Sequence, residues 1–406
     1  MKKILVVTPR FPIPDSGACE KDRLDGMKQF RRLGYEVRVI GKVFDFQDRE
    51  KIKTFGENHG ISIELVPYRF TEKVSVLKKI FVLVRRLLWP GFWDGSAYEY
   101  AEPKVNETLT RVLDEWKPDV VWFDYTYLWP LYRHVTRRNI PIVTRSINVE
   151  ANHFLEEDGR TLLHYLQYIP KWLTERTTLR RSDLLYSITP RERNWYRRIG
   201  KDSRVVNLPL RGMPETLDTQ QFILRDRTPL RAYFMGSTYN VAHNRRALEF
   251  LLAHVVPRVE ERLPGQFEFH IFGGKVPKDF DRFLRESVQL RGHVEDIGKA
   301  LQEMDIALIP SLYGAGMQQK IFESFSRGFP TVVTPRGIAD YPFEDGVHYL
   351  GATNTEEFVD AMERLLVFEE RQKLSSAART RSEELFSGSR IDSIVEEGLT
   401  QILKIG

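Results

Sequence analysis

Short apolar runs rich in β-branched residues alternate with helix-period stretches along this chain, and the alternation runs through twice. The first series reads as strands over 3–7, 36–40, 62–66, 119–123, 141–144 and 184–188, with helices such as 21–33, 98–116, 151–181 and 191–199 between them. After a stretch at 208–229 with three prolines and little periodicity, a second series begins. It reads as strands over 230–235, 267–272, 305–309 and 331–334, with helices over 243–262, 279–287 and 316–327, and a tail of helices over 355–367, 370–385 and 390–404. Strands this short and apolar, joined by helical crossovers, predict parallel sheets covered on both faces. The expected class is therefore α/β, with two Rossmann-like units in tandem.

A length of 406 residues agrees with two domains. The divisions expected are 1–207, a linker at 208–228, a second domain at 229–388, and a final helix at 389–406 that packs back on the first domain. With 42% hydrophobic and 29% charged residues the composition is that of a globular chain, and no apolar run reaches the length of a membrane span. Disorder and a transmembrane span are excluded. The single cysteine, Cys19, cannot form an internal disulfide, and no zinc spacing is present, which points to a reducing compartment. The first apolar stretch stops at Thr8-Pro9-Arg10, too early for the core of a signal peptide, so the expected location is cytoplasmic.

Charge is uneven. Residues 1–200 hold 35 Lys and Arg against 26 Asp and Glu, whereas the remainder is acidic on balance, so an anionic partner is expected on the first half. Residues 73–93 carry five basic side chains, no acidic ones, and a set of apolar residues that includes Trp89 and Trp93. That composition suits either a peripheral contact with an anionic membrane or a buried core helix. The peripheral reading would place the protein on the inner face of the cytoplasmic membrane. Trp122, Tyr125, Tyr127 and Trp129 could stack bases, but core and sugar-stacking roles suit them better, and no nucleic acid is expected.

The most informative run is 306–337, IALIPSLYGAGMQQKIFESFSRGFPTVVTPRG. A strand ends at Pro310, Gly314-Ala315-Gly316 makes a turn, and a helix follows to Gly328. Glycines let a backbone approach closely, and a helix N-terminus offers free N–H groups and a positive dipole end. A diphosphate would sit at the amides of Gly316 and Met317. Lys320 lies a turn further on and Glu323 shares its face, so phosphate to the lysine and ribose hydroxyls to the glutamate is the natural assignment. A plain strand-turn-helix with a solvated Lys/Glu pair is the alternative. Gly236-Ser237 ends the first strand of the second series and either contacts the same phosphates or is an ordinary turn.

This run resembles the donor-binding signature of the retaining GT-B glycosyltransferases of family four, in Pro310, Gly314, Gly316, Lys320, Glu323, Gly328, Pro330, Val332, Val333 and Thr334. The resemblance is strong over about 229–385 and weaker before it, where it rests on the opening strand, the Gly17 loop, 118–124 and Asn148-Val149-Glu150. It implies two Rossmann-like domains facing each other across a cleft, with a nucleoside-diphosphate sugar held by the second and the acceptor by the first. It implies transfer with retention and without a metal or other cofactor, in cell-surface polysaccharide or glycoconjugate synthesis, from a UDP-, GDP- or ADP-linked sugar to a glycan or lipid-linked hydroxyl. By resemblance Gly17 faces the donor phosphates, Gly273 and Val294 lie in turns that border the base, and Asp124 stands where an acceptor-side residue is common. Asp124 is equally readable as a helix cap, the Gly17 loop as a rigid proline loop, and Ser146 or Asn148 as caps of the next helix, against a reading with Asn148 or Glu150 facing the cleft. Two departures stand out. Ala315 occupies a position where many members carry a glutamate, and Gly236-Ser237-Thr238 with Asn244 stands where many carry an arginine and a lysine. A nucleotide-sugar epimerase of the same shape and a non-catalytic scaffold for nucleic acid or membrane are the competing functions.

Overall fold

The computed structural model describes residues 1–15, 17–68, 80, 84, 88, 93–100, 103–157, 159, 161–200, 204–219, 222–314 and 316–405. The chain forms two compact units, Met1–Gly212 with Ile391–Gly406, and Met213–Arg390.

The first unit runs β1 (Lys3–Thr8), α1 (Ala18–Arg32), β2 (Glu36–Val43), α2 (Arg49–His59), β3 (Ser62–Pro67), α3 (Gly95–Glu99), α4 (Pro103–Trp116), β4 (Val120–Phe123), α5 (Tyr132–Thr136), β5 (Ile142–Ser146), α6 (Glu150–Glu157), α7 (Leu162–Arg181), β6 (Leu184–Ser187), α8 (Pro190–Gly200) and β7 (Val205–Asn207). Its sheet is parallel, in the order β3-β2-β1-β4-β5-β6-β7. Ile4, Val6, Val39, Trp122 and Val143 fill the core beneath it.

The second unit runs α9 (Met213–Asp218), β8 (Leu230–Thr238), α10 (Ala242–Phe250), a π turn to Val255, α11 (Val256–Arg262), β9 (Phe267–Gly274), β10 (Val288–Gly292), α12 (Ile297–Leu301), β11 (Ile306–Ile309), α13 (Gln319–Arg327), β12 (Thr331–Val333), β13 (Leu350–Gly351), α14 (Thr355–Arg364) and α15 (Phe368–Phe386). Its order, β10-β9-β8-β11-β12-β13, repeats that of the first sheet and is again parallel. A last helix, α16 (Gly388–Ile405), places Ile391, Val395, Leu399 and Ile402 in the core of the first unit, a stripe repeating every three to four residues. Asp392 at its start accepts from Gln29 (2.8 Å) and Arg32 (2.7 Å) of α1.

In both sheets the chain reverses direction of growth beside the first strand, between β1 and β4 and between β8 and β11. Open parallel sheets bind ligands at the carboxyl ends of the strands at such a switch point. The topology alone thus points to the residues after β1, β4, β8 and β11.

Several elements differ from expectation. The single helix expected over 151–181 is two, because Gly159 takes a left-handed φ of +103° and Thr161 starts afresh as a cap, accepting from the His164 amide at 3.3 Å. The helix expected over 279–287 is a 3-10 turn at Lys278–Phe283 leading into β10. The stretch 208–228 is packed: Leu208, Leu210, Met213, Leu217 and Phe222 are buried, and Phe222 stacks on Phe329 at 4.2 Å. Of 73–93 only Ile80, Val84, Leu88 and Trp93 are described, all exposed; the basic residues of that stretch lie outside the described residues. No helix of the described residues is long and apolar enough to cross a membrane.

Candidate functional site

At the end of β8 the backbone is crowded in a way that requires glycine. Gly273 has φ +134°, and a Cβ there would lie 2.0 Å from the Gly236 carbonyl oxygen. A Cβ on Gly236 would press on Tyr239 and Asn244 at 3.2–3.3 Å. Tyr239 fixes this approach by donating its hydroxyl to the Phe272 carbonyl at 2.7 Å. Ser237 is exposed beside it.

Asn244 joins this strand end to the α13 motif. Its amide nitrogen donates to the Thr238 carbonyl (3.0 Å), and its amide oxygen accepts from Lys320 Nζ (3.0 Å). Lys320 also lies 4.9 Å from the centre of the Phe234 ring. Desolvation pushes its ammonium down to about 8. A half-buried lysine held this way has given up part of its water to one neutral hydrogen bond and one aromatic face, so an incoming anion has less hydration to displace. Glu323 is half-buried and accepts from Gln319 at 2.6 Å.

The turn before α13 differs from expectation at one point. Gly314 (φ +105°) and Gly316 (φ +70°) are both left-handed, so Gly316 does not begin the helix; α13 starts at Gln319. The free helical amides therefore begin after Gln318, and Glu323 lies only about 6 Å along the axis from that start. Arg336 donates to the Gly314 carbonyl at 2.7 Å, and Gln318 to the Tyr313 carbonyl at 3.1 Å, fixing the loop from both sides. Arg246 stacks on Tyr313 at 4.6 Å. Met317 is buried and takes a hydrogen bond from Tyr341 at sulfur. Ala315 lies outside the described residues. Val294 is half-buried in the turn after β10, past Gly292 (φ +67°). Gly236, Gly273 and Lys320 are thus brought together through Asn244.

Sequence reasoning missed Arg336, Arg246 and Phe234 as neighbours of the loop and lysine. Arg336 stands inside the quoted run, and its place right after β12 was the available signal.

The equivalent strand ends of the first unit are closed. Gly17 caps α1 with extended backbone (φ −154°), which any residue adopts, and Glu20 comes close to it while pairing with Arg10 at 2.8 Å. Asp124, expected as an acceptor contact or a cap, is 1% exposed. It accepts from the Trp122 indole at 2.8 Å and sits 3.8 Å from Arg211, and burial raises its carboxyl above the ordinary value against the pull of Arg211 and Arg23. Behind it Asp22 is buried between Arg145 (3.2 Å) and Arg211 (2.9 Å). Against the cost of burial, the two guanidinium groups hold Asp22 well below the usual carboxylate range. Arg145 also donates to the Leu208 and Pro209 carbonyls.

Asn148 and Glu150 are half-buried at the end of β5. The Glu150 carboxylate accepts from the Tyr125 hydroxyl. Neither Ser146 nor Asn148 caps α6 with its side chain. The entering amides of Val149 and Glu150 donate instead to Glu192 (3.1 Å) and Glu175 (2.9 Å) from distant helices. Burial pushes these glutamates up to about 7 and about 8. Among the described residues no three His, Cys, Asp or Glu side chains form a group that could hold a metal ion.

Two doubly wound parallel sheets in tandem, the second with a lysine held by Asn244 at its switch point, are the architecture of the GT-B glycosyltransferases. The model of the glycosyl transferases group 1 matches residues 230–367, and that of the glycosyl transferase 4-like domain matches residues 22–211. The chain belongs to the group 1 glycosyltransferases. No curated protein matches it in sequence. Among solved structures it is similar to sucrose-phosphate synthase from Thermosynechococcus elongatus, at 13% identity with a TM-score of 0.69 over 100% of both chains. It is similar to Anabaena HepE in complex with UDP-glucose, at 13% identity and a TM-score of 0.64, covering 99% of this chain and 100% of that one. It is also similar to a Staphylococcus aureus TarM variant in complex with fondaparinux, α-GlcNAc-glycerol and UDP, at 12% identity and a TM-score of 0.63, covering 98% and 99%.

Proposed function

We propose that this glycosyltransferase takes its sugar from a nucleoside-diphosphate donor bound by the second unit and passes it, with retention and without a metal, to a hydroxyl of a glycan or lipid-linked acceptor held by the first. The observation that carries the donor assignment is Lys320, desolvated against Phe234 and held by Asn244 beside glycines that admit a ligand to the backbone. The diphosphate lies at the Gly314–Gly316 loop and the first amides of α13, and the ribose reaches Glu323. In the reaction the bond from the anomeric carbon to the phosphate oxygen breaks and a bond to the acceptor oxygen forms. The acceptor proton passes to a departing phosphate oxygen on the same face. Lys320 and the amides stabilise the charge that collects there, the work a divalent cation does in other folds. The HepE and TarM complexes favour UDP as the nucleotide. On the acceptor side Asn148 and Glu150 replace Asp124, whose carboxylate is turned inward.

A thermal-shift series with UDP-, GDP- and ADP-sugars tests the donor, since a ligand that binds only the folded state raises the melting temperature. NMR of the product anomer tests retention, and transfer that persists undiminished in chelator-treated enzyme tests metal independence. No shift with any of the three classes would overturn the donor site. Interconversion of the sugar nucleotide without transfer would replace the reading with epimerisation.

A further inference from the structure

The cluster around Asp22 leaves one charge over at the switch point of the first sheet, that of Arg23. It stands in the second turn of α1, the helix that follows β1, and its guanidinium lies 5.5 Å from the centre of the Tyr125 ring, in the segment that follows β4. The residue is only 6% exposed. Its Nε is buried with no hydrogen-bond partner, and among the described residues nothing accepts from its other nitrogens. A cation taken out of water ordinarily finds a carboxylate, because the cost of its desolvation is otherwise unmatched. Asp22 is already taken by Arg145 and Arg211. Asp124 is the carboxylate that acts on Arg23 most strongly, yet its Oδ2 is buried without a hydrogen bond, so the two do not close on each other. Cys19 is no anion either, since burial pushes its thiol up to about 11.

Tyr127 repeats the pattern. Its ring packs on Tyr125 at 4.2 Å and on Tyr100 at 5.6 Å, while its hydroxyl has no hydrogen-bond partner among the described residues. Burial raises the phenol and Arg23 is the group that pulls it back, so hydroxyl and guanidinium are neighbours. Two adjacent donors, one charged and one neutral, thus stand at the carboxyl ends of β1 and β4 with no acceptor between them. Tyr125 separates them from the nearby acid: its ring lies against Arg23, and its hydroxyl donates to Glu150. We propose that Arg23 and Tyr127 form an oxyanion subsite, and that the acceptor of this enzyme carries a carboxylate or phosphate close to the hydroxyl that receives the sugar. The planar guanidinium takes two oxygens of such a group side by side, as a lysine could not, and the Tyr127 hydroxyl donates to one of them. Glu150 is left to the hydroxyl. The inference rests on the reading that the first unit holds the acceptor, and it adds the charge that this acceptor must bear.

NMR titration of the full chain with methyl β-D-glucuronide and with α-glycerophosphate tests it, each against its neutral counterpart, methyl β-D-glucoside or glycerol, at constant ionic strength. The wild type should bind at least one anionic probe about tenfold more tightly than its counterpart, the glucuronide reporting a carboxylate and the glycerophosphate a phosphate. Arg23→Met should abolish that preference, and Tyr127→Phe should reduce it about fivefold. Arg49→Gln, which removes an exposed charge of the same unit, should leave it intact. Tyr127→Phe gives up only an unpartnered hydroxyl, so it remains folded and decides the matter even where Arg23→Met unfolds. A preference that survives in the folded variants overturns the proposal. Equal affinity for charged and neutral probes in the wild type overturns the subsite and leaves the acceptor reading standing, whereas no binding of any probe overturns both. UDP titrated into the same samples reads the donor site independently. If Arg23→Met loses UDP affinity while its preference for the anionic probe is unchanged, the oxyanion is the donor's and the proposal falls.

Discussion

The two sheets have the same strand order, yet their switch points are built to opposite electrical plans. In the second unit the strand ends carry glycines, and a half-buried lysine there meets, among the described residues, an amide oxygen and a ring face. In the first unit the corresponding strand end is filled by Asp124 and, behind it, Asp22 clamped between Arg145 and Arg211, a cluster that neutralises itself. Topology therefore fixes where a ligand could bind, while the side chains at that place decide whether a charge is left for it. One unit holds a cation with no carboxylate partner among the described residues, as the proposed donor site requires; the other pairs the charges of its Asp22 cluster with one another.

The largest effect expected from this contrast is on stability. Arg145→Met strips Asp22 of one of its two guanidinium partners and leaves carbonyls of 208 and 209 without a donor, which should cost about 3–5 kcal/mol in chemical denaturation. A loss under 1 kcal/mol would mean the closed switch point is not a structural clamp. Next comes Lys320→Ala, which should leave the fold intact but reduce turnover about 10²–10³-fold, because the charge matters most as the diphosphate leaves. Titration sharpens this. With its ammonium at about 8, Lys320 is charged below that pH and neutral above it, so UDP affinity should decline as pH rises through about 8, with proton uptake on binding near that pH. Lys320→Arg should push that limb to higher pH, and an unmoved limb would assign it to another group.

A smaller loss is expected from Glu323→Ala. It removes contacts to the ribose present in ground and transition states alike, so calorimetry should find nucleoside-diphosphate binding weaker by about 1.5–3 kcal/mol. Unchanged affinity would take Glu323 out of the donor site. A pH-dependent effect falls in the first unit. Glu175 and Glu192, raised to about 8 and about 7, hold protons in the folded state that the unfolded chain releases near 4.5. Their contribution is thus fully present in acid and is lost as pH rises through those values. The melting temperature should fall across this range, and Glu175→Gln, which stays neutral, should flatten the fall. An identical slope in that variant would place the titrating group elsewhere.

Much of this was legible in the residues because periodicity is a property of local sequence. Strands β1–β6, β8, β9, β11 and β12, the donor motif through Lys320 and Glu323, and the final helix are expected from the sequence, whereas the short edge-side strands β7, β10 and β13 are not. What was hidden is what distant segments do to one another. Nothing near Asp124 announces that Trp122 and Arg211 occupy its carboxylate, since Arg211 lies 87 residues on. The cap of α6 is expected from Ser146 or Asn148, the usual local acceptors of such a bond, but it is supplied by Glu175 and Glu192 across the fold. Gly316 was read as a helix start because glycine before a helix is common, whereas two left-handed glycines in close succession delay the helix to Gln319. Arg336 shows the reverse case: a residue inside the recognised run whose reach back to the Gly314 carbonyl depends on tertiary folding.

The return of α16 has a consequence for how the protein is made. The first unit cannot finish its core until Ile391, Val395, Leu399 and Ile402 have been synthesised, whereas every residue of the second unit has been translated by Arg390. Each of those four side chains is worth about 1.5–3 kcal/mol when buried, and together they rival the net stability of a whole domain. On the ribosome, then, the unit that begins first completes last, and the later one matures inside it as an insertion whose entry at Pro214 and exit at Gly388 lie side by side. A stop codon at Val395 would spare the second unit and strip three side chains from the core of the first, most of which is translated long before it.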